Sequence, residues 1–318
     1  MKKIGFLPFL LTAALLTACG APAPAPEDGR LKIVATVFPA YDFARAASGG
    51  LADVELLLPP GAESHSYEPT PADILAVQDC DLFLYLGGES DAWVDTILDS
   101  VDRSGETLRM IDCVDLLEEE TVEGMQAEPG HSHEEDHGPG GVTEIDEHVW
   151  TSPRNAAAIT RAIGERMADL DGENGEAYTA NAEAYAARID ALDRSFAAFF
   201  DGLADKTLLF GDRFPLRYFA EEYGLTYYAA FPGCSTQTEP SAATIAFLLD
   251  TVEREHISTV FYIEFSNHLV ADAIAEAAGA RTARFHTCHN VSPDELAAGA
   301  TYVSLMEENL KTLRSALS

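Results

Sequence analysis

Short β-branched runs alternate with amphipathic segments along most of this chain. Residues 32–38 (KIVATVF), 54–58, 81–86 and 107–111 are apolar runs of strand length. Between them, 41–47, 71–78 and 91–99 carry helical spacing. The second of these opens on Thr70 as N-cap, Pro71 at the first helical position and Asp73 in the first turn. The same alternation returns further on, with strands expected at 207–210, 226–230, 259–263 and 282–285 and helices at 215–223, 241–255, 267–278 and 301–317. Strand following helix in turn predicts βα units, hence α/β architecture with two parallel-sheet lobes. No sequence repeat relates the two lobes. Between them, 153–170 and 176–203 read as helices separated by Asp171-Gly172-Glu173-Asn174-Gly175. In the second, Tyr178, Tyr185, Ile189, Leu192, Phe196 and Phe199 recur at spacings of seven, four or three. That pattern predicts one buried stripe on a helix roughly 40 Å long, enough to cross both lobes. A helical connection of this kind allows less hinge closure than a flexible loop.

Two stretches break the pattern. Residues 118–142 are rich in Glu, Gly, Pro and His without apolar period, so they form a loop. Its HSHEEDH cluster, with His131, His133 and His137, is suited to weak metal capture, against the plainer reading of a solvated acidic tract. At the start, Lys2 and Lys3 precede an apolar core at 4–16 that is too short to span a bilayer, which needs ~20 apolar residues. The core ends in Leu16-Thr17-Ala18-Cys19, which resembles the lipobox of bacterial lipoproteins. The resemblance implies cleavage before Cys19 and lipidation of its thiol, anchoring the chain to the extracytoplasmic face of the cell membrane. A plain secretory signal with a chance Cys is the alternative. The expected layout is a signal peptide at 1–18, a Pro-rich tether at 19–29, an N-terminal lobe at 30–152, linking helices at 153–203 and a C-terminal lobe at 204–318.

Charge changes the picture next. Across 318 residues, 20 Lys+Arg stand against 53 Asp+Glu, a formal net charge of -33. Nucleic acid is excluded as a partner, because its phosphates require a basic footprint. Apart from Cys19, the cysteines are Cys80, Cys113, Cys234 and Cys288. Outside the cytoplasm a disulfide is permitted. Cys234 and Cys288 both lie beyond strand ends of the second lobe, and a disulfide between them is favoured over zinc thiolates. Cys80 precedes a strand and Cys113 follows one, so they belong at opposite edges and do not pair.

The chemistry centres on Asp146 to Pro153, DEHVWTSP, where one imidazole, His148, sits between carboxylates and a Trp. Imidazole is the commonest side-chain metal ligand, and adjacent carboxylates orient it. His65 lies just past one strand, and His286 and His289 follow the last strand of the second lobe. Loops at the carboxyl ends of strands share a crevice in α/β folds, so distant histidines can meet on one ion. Asp146 and Glu147 read as supporting or surface groups, and Trp93 and Trp150 as packing residues. Three histidines with water also describe a catalytic zinc. The chain has no HExxH motif and no nucleophile elbow to support an enzyme.

The stretches GAESHSYEPTPADI, DEHVWTSPRNA, FGDRFPLRYFAEEYGL, TEPSA and VFYIEFSN, in that order, resemble successive motifs of the zinc/manganese ABC-transporter solute-binding lipoproteins, the TroA-like or ZnuA-like cluster A-I group. The likeness runs from Lys32 to Leu317. It implies one divalent cation held between two α/β lobes joined by a long rigid helix, and delivery to a membrane permease driven by an ATPase. By the same resemblance His65 is the first ligand and His148 the second. The third, usually His or Glu just before Asp, falls on Gly211; the fourth, usually Asp, falls on His286. His289, Cys288, Glu264 and Glu239 are candidates to complete the set, His289 being favoured. A nitrogen-rich set of low number suits Zn2+ over Mn2+. The expectation is a monomeric, lipid-anchored zinc-binding component of an importer, not an enzyme. The alternatives are a zinc-dependent hydrolase and a surface adhesin or metal buffer.

Overall fold

The computed structural model describes residues 29–63, 67–88, 91–102, 104–126, 144–235 and 239–317. The expected signal segment, Cys19, His65, His131, His133 and His137 lie outside the described residues. In chain order the first elements are β1 (Lys32–Ala35), α1 (Phe38–Ser48), β2 (Asp53–Leu56), α2 (Pro71–Asp79), β3 (Leu82–Tyr85), α3 (Ala92–Ser100) and β4 (Glu106–Arg109). They form a parallel sheet of order β2-β1-β3-β4. The helices α4 (Pro153–Leu170) and α5 (Gly175–Asp201) follow. Then come β5 (Thr207–Phe214), α6 (Arg217–Tyr223), β6 (Thr226–Pro232), α7 (Ala242–Arg254), β7 (Thr259–Ile263), α8 (Leu269–Ala278), β8 (Arg281–Phe285), α9 (Pro293–Ala297) and α10 (Tyr302–Ala316). The second sheet is parallel too, in the order β6-β5-β7-β8. In both sheets the strand order reverses beside the first strand, and there a crevice opens at the carboxyl ends. Among the described residues no helix is long and apolar enough to cross a membrane.

Local chemistry sets the boundaries. β1 stops at Ala35 rather than running to 38, because Pro39 sits in the first turn of α1 and fixes helical φ there. Thr70 caps α2 as expected, closing a capping box with Asp73. β5 runs past 210 to Phe214, with a register slip between Phe210 and Arg213. The short α9, unpredicted, starts on a capping box between Ser292 and Glu295.

Helix α5 ties the molecule together. Its buried stripe comprises Tyr178, Ala182, Tyr185, Ala186, Ile189, Leu192, Phe196 and Phe200. The stripe ends on Phe200, with Phe199 only half-buried. It packs along α4, on α1 of the first lobe, and on α6 and α10 of the second. One continuous core therefore runs from β1 through α5 to α10. Two smaller clusters fill the opposite face of each sheet.

The α4–α5 contact is closest at Gly164, where an added Cβ would lie 2.4 Å from the Ala182 Cβ. Gly164→Ala gains up to ~1 kcal/mol of helix propensity but overpacks a dense core at a cost of about 1–3 kcal/mol. The variant should unfold at lower urea concentration, and Ala182→Gly in the same chain should restore the midpoint. A stabilised single variant would contradict this account of the helix pair.

Candidate metal centre

Six segments meet at the carboxyl edge of the second sheet, one of them the turn after β6 with Gly233. β5 brings Arg213, the turn after β7 brings Glu264, and the segment after β8 brings His289. The loop after β2 contributes Glu63, and the turn before α4 contributes His148. They line a cavity of about 20 Å³, room for about one water-sized sphere.

His148 is fully buried. Asp146 Oδ1 accepts from the His148 backbone N–H at 2.8 Å and faces its Nδ1 at 3.1 Å. A carboxylate there places the ring proton on Nδ1 and leaves Nε2 as the nitrogen able to bind a metal. Burial pushes this imidazole's pKa down, but Asp146 first, then Glu147 and Glu119, more than offset it, and the net direction is up. The support is itself held. Tyr218 donates its hydroxyl to the Asp146 carbonyl at 2.8 Å. Trp150 Nε1 donates to the Thr287 carbonyl at 2.9 Å, and Tyr302 donates to the Trp150 carbonyl at 2.9 Å. Gly233 makes room for the ring: a Cβ there would stand 3.3 Å from His148 Cε1 and 2.9 Å from Pro215 Cα.

The His289 ring lies 5.6 Å from that of His148, edge to face, and 5.0 Å from the Trp150 ring. His286 takes another direction. Its Nδ1 accepts from the Cys288 N–H at 3.0 Å, and its Nε2 faces Glu295 at 3.7 Å. It is not among the residues lining the cavity, where His289 stands instead. The reason is backbone: Cys288 adopts φ of +64° and turns the chain.

The other candidates sort by their contacts. Glu264 lines the cavity, but its carboxylate accepts from Thr287 N–H at 2.7 Å and Thr287 hydroxyl at 2.5 Å. Glu239 is exposed. Cys234 and Cys288 are separate thiols, not a disulfide. Cys288 is buried with Sγ 3.8 Å from the His286 carbonyl, and burial pushes its thiol well up. Cys234 comes instead to the His148 side: donor atoms of Glu147, His148 and Cys234 lie within 4.8 Å of one another. Asp146 and Glu147 are not surface groups; both are buried.

Gly211 is not at the cavity at all. An added Cβ there would meet the Ala271 backbone of α8 at 2.5 Å. Because of the slip in β5, Arg213 is the residue of that strand that reaches the site. Its Nη2 donates to Glu63 Oε2 at 2.8 Å and its Nη1 to the Ser235 carbonyl at 3.3 Å. Neither Arg213 nor Glu63 stands out in the sequence, although both fall inside motif-bearing stretches. An extension of β5 through 214 was the signal that would have found Arg213.

The family described as zinc-uptake complex component A, periplasmic (ZnuA) matches residues 33–316. The zinc-binding lipoprotein AdcA of Streptococcus pneumoniae is 32% identical over 99% of this chain, which spans 61% of that protein's length. The high-affinity zinc uptake system protein ZnuA of Bacillus subtilis is 30% identical over 97% of this chain and 94% of its own. The crystal structure of the Zn(II)-bound ZnuA-like domain of S. pneumoniae AdcA superposes with a TM-score of 0.74 at 30% identity, covering 91% of this chain and 99% of that one.

The contact between His286 and Glu295 has its own consequence. His286 beside it holds the Glu295 carboxyl well below the usual range, against burial and with help from the Ser292 N–H and hydroxyl. A depressed folded-state pKa gives stability that is present above the unfolded value of about 4.3 and is lost as pH falls through and below it. Glu295→Gln should therefore be less stable than the parent at pH 7, and the gap should narrow on acidification below about pH 4. Urea midpoints across a pH series read this directly; a gap independent of pH would remove the linkage.

Proposed function

This chain belongs to the ZnuA family, and we propose that it captures one zinc ion in the inter-lobe cavity and hands it to an ABC permease and its ATPase. The observation that carries this reading is a buried His148, oriented by Asp146, facing His289 across a cavity of single-ion size. We assign His148 and His289 as donors. His65 joins them, being two residues beyond Glu63, whose carboxylate already lines the cavity. Two residues of chain reach at most about 7 Å, a span compatible with the same ion. Glu63, Glu119, Asp146 and Glu147 make the surroundings acidic, and Glu63 offsets the cation that Arg213 brings to the wall. Imidazole donors in a small site favour zinc over manganese, which prefers six oxygen-rich positions.

The zinc is cargo, and the chain is a transport component rather than an enzyme. Cys19 carries the lipid that holds it at the extracytoplasmic membrane face, and it works as a monomer. His131, His133 and His137 gather ions loosely and deliver none of the tight binding.

Titration of metal-free protein should give one equivalent of zinc and a raised melting temperature by linkage. His148→Ala and His289→Ala should each weaken zinc, in competition with a chelating dye, by about tenfold or more. Unchanged affinity in both would refute this site. Removing 128–141 should leave tight binding intact; its loss would move the site to the histidine loop. Cells lacking the protein should grow poorly only when zinc is scarce, an outcome that separates transport from adhesion.

A further inference from the structure

Strand β5 gives the cavity no anionic donor. Gly211 faces α8, and Arg213 brings a positive charge. The neighbouring strand β6 ends at Pro232, and the turn beyond it passes Gly233 beneath the His148 ring and continues to Cys234. There the Cys234 backbone N–H points to Glu119 Oε1 at 3.5 Å, and its Sγ shares a 4.8 Å cluster with His148 and Glu147.

The remaining described cysteines have other settings. Cys80 is buried and donates to the Val77 carbonyl at 3.3 Å. Burial pushes the Cys113 thiol up to about 11, and Cys288 is sealed in the core. Among the described cysteines Cys234 combines partial exposure with a sulfur clustered beside His148, the histidine that lines the cavity next to Gly233.

Resting on the zinc-capture reading above, we infer that Cys234 is a thiolate ligand of the captured zinc, sharing the ion with His148. Bond lengths of about 2.3 Å to sulfur and 2.0 Å to nitrogen put tetrahedral donors about 3.5 Å apart. The donor atoms already lie within 4.8 Å of one another, so a small side-chain adjustment brings them to that spacing on binding. The Cys234 S–H bond breaks, the S–Zn bond forms, and one proton leaves to solvent. A soft sulfur donor also raises selectivity for zinc over manganese beyond what imidazole gives.

Cobalt(II) is the probe, used with the full chain. The parent protein should bind one equivalent and show a sulfur-to-cobalt charge-transfer band in the near ultraviolet. Cys234→Ser should lose the band and bind zinc at least about tenfold more weakly, while Cys288→Ser should keep both. Stoichiometric cobalt binding without the band, or Cys234→Ser with band and affinity intact, overturns the thiolate and leaves zinc capture standing. A parent chain that binds neither cobalt nor zinc overturns both. Should Cys234→Ser not fold, alkylation of the parent read by mass spectrometry decides: zinc must slow modification at Cys234, and an equal rate with and without zinc overturns the inference.

Discussion

An imidazole sealed from water is useful as a donor only when its far nitrogen already has a partner. In this protein Asp146 is that partner, and most of the cavity's architecture serves to keep it in place. Tyr218 from α6 holds the Asp146 carbonyl, so the second lobe grips the very turn that carries His148. Trp150, one turn on, bonds to Thr287 and accepts from Tyr302 of α10. The ring that is proposed to meet the ion is thus fixed by its own turn and by side chains of α6 and α10. Without such anchoring a buried imidazole surrounded by carboxylates would rotate onto them, and its donor nitrogen would be lost to the cavity.

The same economy of motion extends between the lobes. Asn290 donates to the carbonyls of Pro59 and Ala62, Gly61 donates to Val291, and Phe38 donates to the His289 carbonyl. Asp42, buried in α1, accepts from Tyr185 of α5 and from the Tyr302 backbone of α10. Burial raises the Asp42 carboxyl, opposed by those donors. With α5 running through the common core, the sheets have little freedom to swing apart. Such a frame favours local adjustment of turns over closure of two jaws.

Much of this was readable from residue order. The alternation of strand and helix gave both parallel sheets, and the aromatic and aliphatic spacing along 178–200 gave α5 and its buried side. DEHVWTSP marked His148 and the carboxylate that orients it. What residue order left open lies at irregular backbone, at a slip within a strand or just past one, where direction depends on one or two backbone angles. A slip in β5 sends Gly211 into α8 and Arg213 into the cavity. A left-handed Cys288 exchanges the directions of His286 and His289. Cys234 and Cys288 both follow strands of one sheet, which suggests a disulfide, yet the turns that carry them leave the two thiols apart. Periodicity describes regular backbone, and it has no purchase on such turns.

The undivided core bears on how the chain is made. Synthesis proceeds from the amino end, so residues 31–152 are complete before α5 exists. Their inner face, with Phe38 and Phe43 fully enclosed in the finished protein, then has nothing to lie against. Until α5 is added that apolar face lies open, and transiently exposed apolar surface favours aggregation. Because the core is shared, neither lobe covers its inner face alone.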